Sequence, residues 1–181
     1  TIAWYENDGN GNFITHVIST SDNFGMRDVH AADINSDGNM DVLAASRYDD
    51  TIIWYENDGD ENFTTHQINT SDYGAHSVYA VDVDGDGDMD VIGSGSNIAA
   101  WHENDGSGNF SQHNISTDLN SSRSVYAADV DGDGDIDVLS SSFNDDTIAW
   151  YKNNSGGTDS APTVANAIAN VSVNTDASNT V

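Results

Sequence analysis

Short runs of alternating apolar and polar residues recur along this chain, and clusters of Asn, Asp, Gly and Ser separate them. In one interval the runs cover residues 77–83, 89–94, 98–103 and 110–115, each with the length and composition of a β-strand. Asn104-Asp105-Gly106 lies between the last two runs and favours a tight turn. No window spaces its apolar residues in the pattern of an amphipathic helix. The pattern therefore predicts an all-β chain in which four short strands make one unit.

An aromatic marker recurs at the same interval as this unit. It reads Trp-Tyr-Glu-Asn-Asp in its fullest form, which gives a unit of about 48 residues, and its copies begin at Trp4, Trp54, Trp101 and Trp150. Four strands repeated at this interval are typical of a propeller blade. Adjacent strand residues point to opposite faces, so Trp54 and Tyr55 can both be buried only where a neighbour covers each face. We therefore predict four-stranded antiparallel β-propeller blades, in about three and a quarter repeats that leave the ring incomplete in this chain.

The recurring markers also predict how the chain is divided. Residues 1–155 form the repeat region, and its units cover residues 1–20, 25–70, 75–117 and 123–152, of which the first and last are partial. Residues 156–181 begin as a linker by composition and read as a tail, as a strand donated to a neighbouring chain, or as the start of a further domain. Incomplete outer units leave open strand edges, so we expect association with other copies of the chain or with neighbouring blades of a longer chain.

Three acidic loops of nine residues occupy the same place in successive units, between the first and second predicted strands. They cover residues 33–41, 82–90 and 129–137, with oxygen-bearing side chains at positions 1, 3, 5 and 9 and Gly at position 6. Hard divalent cations prefer oxygen ligands; calcium takes about six to eight of them, whereas magnesium demands a stricter octahedron. A solvated Asp/Gly turn would explain a single copy, but three copies of one pattern favour metal binding. The sequence therefore predicts three calcium sites.

Composition narrows the choice of partners and location. The chain has 31 acidic and 4 basic residues, a formal net charge of −27, and no Cys. Phosphate backbones and anionic lipid surfaces repel such a chain, so we do not expect nucleic-acid binding. No apolar run approaches the roughly 18 residues of a membrane-spanning helix, so we do not expect membrane insertion. A calcium-rich, salty medium would screen the acidic charge, and we therefore expect an extracellular protein, secreted or at a cell surface.

The acidic loop, the apolar strand after it and the Trp-Tyr-Glu-Asn-Asp-Gly turn followed by Phe resemble the FG-GAP/VCBS repeats over residues 1–155. These repeats form blades of integrin-like β-propellers in secreted proteins, so the resemblance implies a calcium-stabilised extracellular module. The side-chain ligands that it implies are Asp33, Asn35, Asp37, Asp41, Asp82, Asp84, Asp86, Asp90, Asp129, Asp131, Asp133 and Asp137, joined by the backbone carbonyls of Asn39, Asp88 and Asp135. Since Asn35 stands where the other loops have Asp, we expect the first loop to bind calcium most weakly.

Two kinds of function fit these predictions. The first is a structural or adhesive module of a large surface protein or of a self-assembling fibre, with surface proteins among its partners. The second is a calcium-dependent, lectin-like propeller in which exposed aromatic side chains stack on glycans, and the candidates are Tyr48, Tyr73 and Phe143. The chain has no nucleophile elbow and no phosphate-binding Gly loop before a helix, so we do not expect an enzyme.

Two further sets of residues recur with the repeat. The first set is a His placed three residues after a Phe, at His16, His66 and His113. We interpret it as packing, with a zinc ladder as the alternative. The second set precedes the first predicted strand of each unit, at Arg27, His76 and Arg123. We interpret these basic residues as neutralising an adjacent acidic loop, with anchoring of an acidic ligand as the alternative.

Overall fold

The computed structural model describes residues 1–20, 25–69 and 74–153, so the predictions for Tyr73 and for residues 156–181 lie outside the described residues. The described residues form thirteen β-strands and no helix. The strands are β1 (Ile2–Asn7), β2 (Phe13–Ser19), β3 (Met26–Ala32), β4 (Asp41–Ser46), β5 (Thr51–Asn57), β6 (Phe63–Asn69), β7 (Ser77–Val81), β8 (Asp90–Ser94), β9 (Ala99–Asn104), β10 (Phe110–Ser116), β11 (Ser122–Ala128), β12 (Asp137–Ser142) and β13 (Thr147–Tyr151). Within this part of the chain there is no helical segment of the length and apolarity that a membrane crossing needs.

The strands form four antiparallel sheets in which every pairing joins strands that are consecutive in the chain. The first sheet is β1-β2, the second β3-β4-β5-β6, the third β7-β8-β9-β10 and the fourth β11-β12-β13. Consecutive pairing is what short polar turns between strands allow, since an antiparallel neighbour needs only a tight connection. The predicted all-β architecture of four-stranded units in an open ring is confirmed.

The inner strands β3, β7 and β11 lie side by side and place the acidic loops. Their equivalent residues meet: the ring centroids of His30 and Tyr79 are 4.6 Å apart, and those of Tyr79 and Tyr126 are 4.8 Å apart. Earlier residues of the same strands also meet: Ser77 Oγ donates to Asp28 at 2.7 Å, and the Val125 N–H donates to Ser77 Oγ at 3.3 Å. Because the contacts follow the same order along each strand, the three strands run in the same direction. The loop that follows each inner strand therefore lies at one common end of the molecule, which we call the acidic end.

Apolar clusters fill the spaces between successive sheets and hold them together. Trp54 on β5 packs towards the third sheet in a cluster with Val78, while the adjacent Tyr55 packs towards the first sheet with Ile2. Both rings are buried, as predicted for a sheet covered on two faces. Burying a large apolar side chain stabilises the fold by roughly 1.5–3 kcal/mol. Tyr5, the equivalent of Tyr55 on the first sheet, is 62% exposed because no described sheet covers its face.

Candidate metal centres

Each acidic loop closes on itself through the carboxylate of its first Asp. The amide of the position-6 Gly donates to this carboxylate in all three loops, with N–O distances of 2.9 Å for Gly38 and Asp33, 3.1 Å for Gly87 and Asp82, and 3.1 Å for Gly134 and Asp129. The three glycines have φ values of 92°, 98° and 98°, a region that L side chains rarely adopt. The recurring Gly is therefore what lets so short a segment curl and turn its oxygens inwards.

Carboxylates converge in the second and third acidic loops. Two groups in the described part of the chain have acidic oxygens within 4.8 Å of one another, and these are Asp82, Asp84 and Asp86, and Asp129, Asp131 and Asp137. Oxygen donors gathered on one short loop suit a hard divalent cation such as calcium. All six residues belong to the set implied by the family resemblance.

The first acidic loop is arranged differently because its third position is an amide. Asn35 Nδ2 donates to Asp37 at 3.2 Å and to Glu56 at 3.1 Å, while Asn35 Oδ1 accepts the Asp37 N–H at 3.1 Å. An amide donor thus connects acidic groups that would otherwise repel one another. This arrangement fits the lower acidic charge of the loop, and its weaker calcium binding stays a prediction.

The last Asp of each acidic loop is fully buried, whereas the other acidic residues of the loops are half-buried or exposed. One oxygen of Asp90 accepts the Val83 N–H at 3.0 Å, and the other accepts the Asn104 N–H at 2.8 Å. Asp41 and Asp137 make the same pair of bonds in their own sheets. These carboxylates therefore join each loop to the end of the third strand, whatever they contribute to a metal ion.

Burial also changes the protonation of these groups. It raises the pKa of Asp90 to about 6, although the backbone hydrogen bonds from Asn104 and Val83 act in the opposite direction. Burial raises the pKa of Asp41 as well, again against its backbone hydrogen bonds. A divalent cation beside these carboxylates would favour their charged form.

The residue at position 7 of each loop is held by the carboxylate at position 5. The N–O distances are 2.8 Å from Asn39 to Asp37, 2.9 Å from Asp88 to Asp86, and 3.1 Å from Asp135 to Asp133. The bonds fix the backbone at the point where the seventh-position carbonyl is expected to bind calcium. That coordination stays a prediction for Asn39, Asp88 and Asp135.

A residue of the third strand reaches the acidic loops, and our sequence analysis did not single it out. In the second sheet it is Glu56, which accepts the hydrogen bond from Asn35. In the third sheet it is Glu103, whose charge adds to the effect of burial in raising the pKa of Asp84. This residue is the third of the recurring Trp-Tyr-Glu-Asn marker, and its recurrence could have drawn attention to it. Only the sheet register shows that it lies beside an acidic loop.

In the fourth sheet the same position is a cation, Lys152. Its Nζ contacts the carboxylate of Asp131 and lies 2.9 Å from that of Asp133. The hydrogen bond from Lys152 is the largest of the effects that lower the pKa of Asp133. In the third acidic loop a basic side chain therefore touches two of the predicted ligands.

Asn side chains connect the first and second acidic loops to the sheet that follows each of them. Asn104 Nδ2 donates to the carbonyl of Ile34 at 3.2 Å, and Asn153 Nδ2 donates to the carbonyl of Val83 at 3.3 Å. Ile34 and Val83 occupy position 2 of the first and second loops, and both are buried in the clusters between sheets. A change in loop conformation would therefore alter the packing at the interface between blades.

The three recurring histidines pack against the recurring tryptophans. The ring centroids are 4.1 Å apart for His16 and Trp4, 4.5 Å for His66 and Trp54, and 4.6 Å for His113 and Trp101. Each His Nε2 also contacts the Glu two residues after that Trp, at 2.7–3.1 Å. The groups close enough to hold one ion contain no His among the residues described, so these contacts favour packing over a zinc ladder.

The interpretation of Arg27, His76 and Arg123 as neutralising the acidic loops is wrong. These residues lie at or just before the start of the inner strands, and a seven-residue strand such as β3 spans roughly 20 Å to the acidic end. The His76 ring is buried; Nδ1 lies 2.6 Å from the Ser122 carbonyl, and Nε2 lies 3.5 Å from Arg123 Nη1. The recurrence therefore reflects contacts between neighbouring inner strands.

Comparisons with known proteins agree with this geometry. The family described as FG-GAP-like repeat matches the chain three times, over residues 1–44, 33–93 and 91–140. No curated protein matches the chain significantly. Among solved structures, the chain is similar to a lectin from Agrocybe aegerita described as recognising non-reducing terminal N-acetylglucosamine, with a TM-score of 0.57 and 19% sequence identity. The similarity covers 86% of this chain but 44% of the lectin chain, and it concerns the fold.

Proposed function

The chain belongs to the FG-GAP-like repeat family, and from this membership and the geometry of its loops we propose that it is a calcium-binding structural module of an extracellular protein. In this proposal each acidic loop binds one calcium ion, which fixes the connection between the first and second strands of its blade. The role is structural or adhesive rather than catalytic.

The observation that carries the proposal is the convergence of carboxylates at the acidic end. Asp82, Asp84 and Asp86 have oxygens within 4.8 Å of one another on a single loop. Two unit charges at about 4 Å repel by about 1 kcal/mol even in bulk water, and by more in a less polar environment. A calcium ion would replace this repulsion by coordination. The ordered loop would in turn support the blade interface through Val83, which is buried there.

The outer faces of the end sheets support neighbouring blades or further copies of the chain as partners. Tyr5 and Val17 are exposed on the first sheet, and Ile148 is exposed on the fourth. Tyr55, the equivalent of Tyr5, is buried against the first sheet. Exposed apolar faces of this kind are what successive blades cover in one another. A longer propeller and a self-assembling fibre would both cover them, and surface proteins are further candidates.

Thermal unfolding with and without calcium tests the proposed role. When free calcium exceeds the dissociation constant of a site by a hundredfold, that site adds about 2.7 kcal/mol of stability. In a domain of this size such a gain raises the melting temperature by about 5–10 °C. We expect excess chelator to lower the melting temperature by at least this amount and to make the chain sensitive to protease. Coincident melting curves in chelator and in millimolar calcium would contradict the proposal.

Glycan binding is a second candidate, favoured by exposed aromatic rings at the end opposite the acidic loops. Tyr48 and Phe143 are 67% and 66% exposed and lie in the β4–β5 and β12–β13 hairpins. The Arg47 guanidinium carbon lies 5.6 Å from the Tyr48 ring centroid, and that of Arg123 lies 5.3 Å from the Phe143 ring centroid. An aromatic ring beside a guanidinium group offers stacking and hydrogen-bond donors to a sugar. The similarity to a lectin fold makes this candidate worth testing.

A glycan array that includes terminal N-acetylglucosamine separates the two candidates. A glycan-binding module would give hits that are lost in Tyr48→Ala or Phe143→Ala. The exposed Tyr126→Ala variant serves as a control, because Tyr126 lies on an inner strand and not in a hairpin. A purely structural module would give no hits with any of these proteins.

A further inference from the structure

The second and third acidic loops form a matched pair within one chain. Their sequences are identical except at position 8, which is Met89 in the second loop and Ile136 in the third. The charged residue that the third strand places beside them is different, because it is Glu103 in the third sheet and Lys152 in the fourth. The charge at this position is therefore a difference between the two loops that reciprocal substitutions can isolate.

The Lys152 side chain reaches into the donor set of the third loop. Its Nζ contacts Asp131, at loop position 3, and lies 2.9 Å from Asp133, at loop position 5. Asp131 is also one of the three residues whose oxygens converge in this loop, together with Asp129 and Asp137. The ammonium group and an incoming metal ion would therefore compete for the Asp131 carboxylate, and for Asp133 if it binds the ion as predicted.

We propose that Lys152 is a built-in cation of the third acidic loop, which competes with calcium for Asp131 and Asp133 and makes this loop bind calcium more weakly than the second. The inference rests on the proposed function, since it concerns how strongly these loops bind calcium. Calcium can enter the third loop only if the ammonium group withdraws, and even then it meets a nearby positive charge. In the second loop Glu103 adds a negative charge instead.

The same contact gives the third loop a source of order that does not depend on metal. An ammonium group that bridges positions 3 and 5 offsets part of the repulsion between the carboxylates. The second loop has no such group at the equivalent position, because Glu103 is itself acidic. The fourth sheet should therefore keep its loop conformation when calcium is low, while the third sheet loses it.

A calcium titration of the whole chain, followed by ¹⁵N–¹H NMR, tests this inference for each loop separately. The position-6 amides of Gly87 and Gly134 report the second and third loops, and Gly38 reports the first. In the wild type we expect the Gly87 signal to shift at lower calcium than the Gly134 signal. For a divalent ion and a unit charge about 5 Å apart, the Coulomb term corresponds to at least about a tenfold difference in affinity.

Substitutions at the equivalent positions provide reciprocal variants. Lys152→Glu should move the Gly134 transition to calcium concentrations at least about tenfold lower, and Lys152→Met, which keeps an unbranched side chain, should do so to a smaller extent. Glu103→Lys should move the Gly87 transition in the opposite direction and leave Gly134 unchanged. Circular dichroism of each variant shows whether the β-fold is retained, and the two Lys152 variants give independent readings.

The outcomes separate this inference from the proposed function. If Gly87 and Gly134 respond at the same calcium concentration and neither Lys152 variant changes the Gly134 response, the role of Lys152 is refuted while calcium binding stands. If Gly87 responds and Gly134 stays silent even in Lys152→Glu, Lys152 is again not the cause. If no glycine responds in any protein, the proposed function fails and the inference fails with it.

Discussion

Position 2 of each acidic loop is an apolar residue. The burial of this residue determines how firmly the loop is packed against the neighbouring sheet. Val83 is 3% exposed and belongs to the cluster between the third and fourth sheets. Val130, at the same position of the third loop, is 45% exposed. The two residues have the same side chain and the same local sequence, so they differ in packing alone.

Val83→Ala should therefore destabilise the chain, while Val130→Ala should not. We expect Val83→Ala to lower the free energy of unfolding by about 1–3 kcal/mol, because it removes buried methyl groups and leaves a cavity. Val130→Ala should change it by less than about 0.5 kcal/mol. Urea denaturation in saturating calcium measures both values. Equal losses for the two variants would contradict the packing difference.

The buried carboxyl group of Asp90 predicts how the calcium-free chain responds to pH. Its pKa of about 6 lies above the unfolded value of 3.8, so the folded state binds this proton more strongly than the unfolded state does. The stabilisation that protonated Asp90 provides is therefore fully present below about pH 4, and it is lost as the pH rises through about 6. By linkage, the loss amounts to about 2–3 kcal/mol.

Urea denaturation in chelator between pH 4.5 and 7 measures this dependence. We expect the wild type to lose stability as the pH rises, and we expect Asp90→Asn to show a flatter dependence, whatever its absolute stability. The difference between the two slopes isolates Asp90 from the other carboxylates. Identical slopes would mean that Asp90 does not titrate in this range.

Among the structural elements, the β9–β10 and β5–β6 hairpin turns lie directly against the acidic loops. A Cβ atom added at Gly106 would collide with the carboxylate of Asp88, and one added at Gly59 would lie 2.8 Å from Asn39 Oδ1. Both glycines have positive φ values. Asp88 and Asn39 occupy position 7, so each turn contacts the side chain of the residue whose backbone carbonyl is predicted to bind calcium.

Gly106→Ala tests this contact, with Gly9→Ala as the control. Gly9 has nearly the same φ, 75° against 73°, but a Cβ atom there would meet nothing within 4 Å. Both variants should lose about 1–2 kcal/mol from the unfavourable backbone conformation. Gly106→Ala should in addition lower the calcium affinity of the second loop, as measured through Gly87 by NMR. Unchanged calcium affinity in Gly106→Ala would show that the turn does not support the loop.

Local sequence signals were sufficient to predict the strands, the sheet sizes and the places of the acidic loops. Alternating apolar residues, Asn-Asp-Gly turns and the Trp-containing marker are each recognisable within a few residues. Their recurrence in successive units makes the prediction of each strand and turn more secure. Contacts between distant residues were not predictable in this way. Lys152 and Asp131 are separated by 21 positions, and only the register of β12 against β13 brings them together. The burial of Asp90 likewise depends on the neighbouring strand.

The Arg and His residues at the start of the inner strands illustrate the same limit. Their recurrence in phase with the acidic loops suggested neutralisation, because opposite charges in one repeat invite that interpretation. The direction of the inner strands places them at the end opposite the acidic loops instead. Sequence spacing gives the phase of a repeat, while the strand direction determines which end of the blade each residue occupies.

Across the whole molecule, acidic side chains are concentrated at one end of the inner strands and arginines lie towards the other end. The three acidic loops contribute 13 acidic side chains to one end of a chain whose formal net charge is −27. Arg27, Arg47 and Arg123 lie towards the opposite end, where Arg47 and Arg123 flank exposed aromatic rings. Cations should therefore act mainly at the acidic end, and any glycan contact at the other end.

Isothermal titration calorimetry of the metal-free chain with calcium chloride tests the binding of calcium by the acidic loops most directly. We expect saturable uptake of calcium, with the second loop among the tight sites, and loss of that tight site in Asp82→Asn. Magnesium at the same concentration should not replace calcium, since it fits flexible multi-carboxylate loops poorly. A titration that shows only the heat of dilution up to millimolar calcium would contradict calcium binding by these loops.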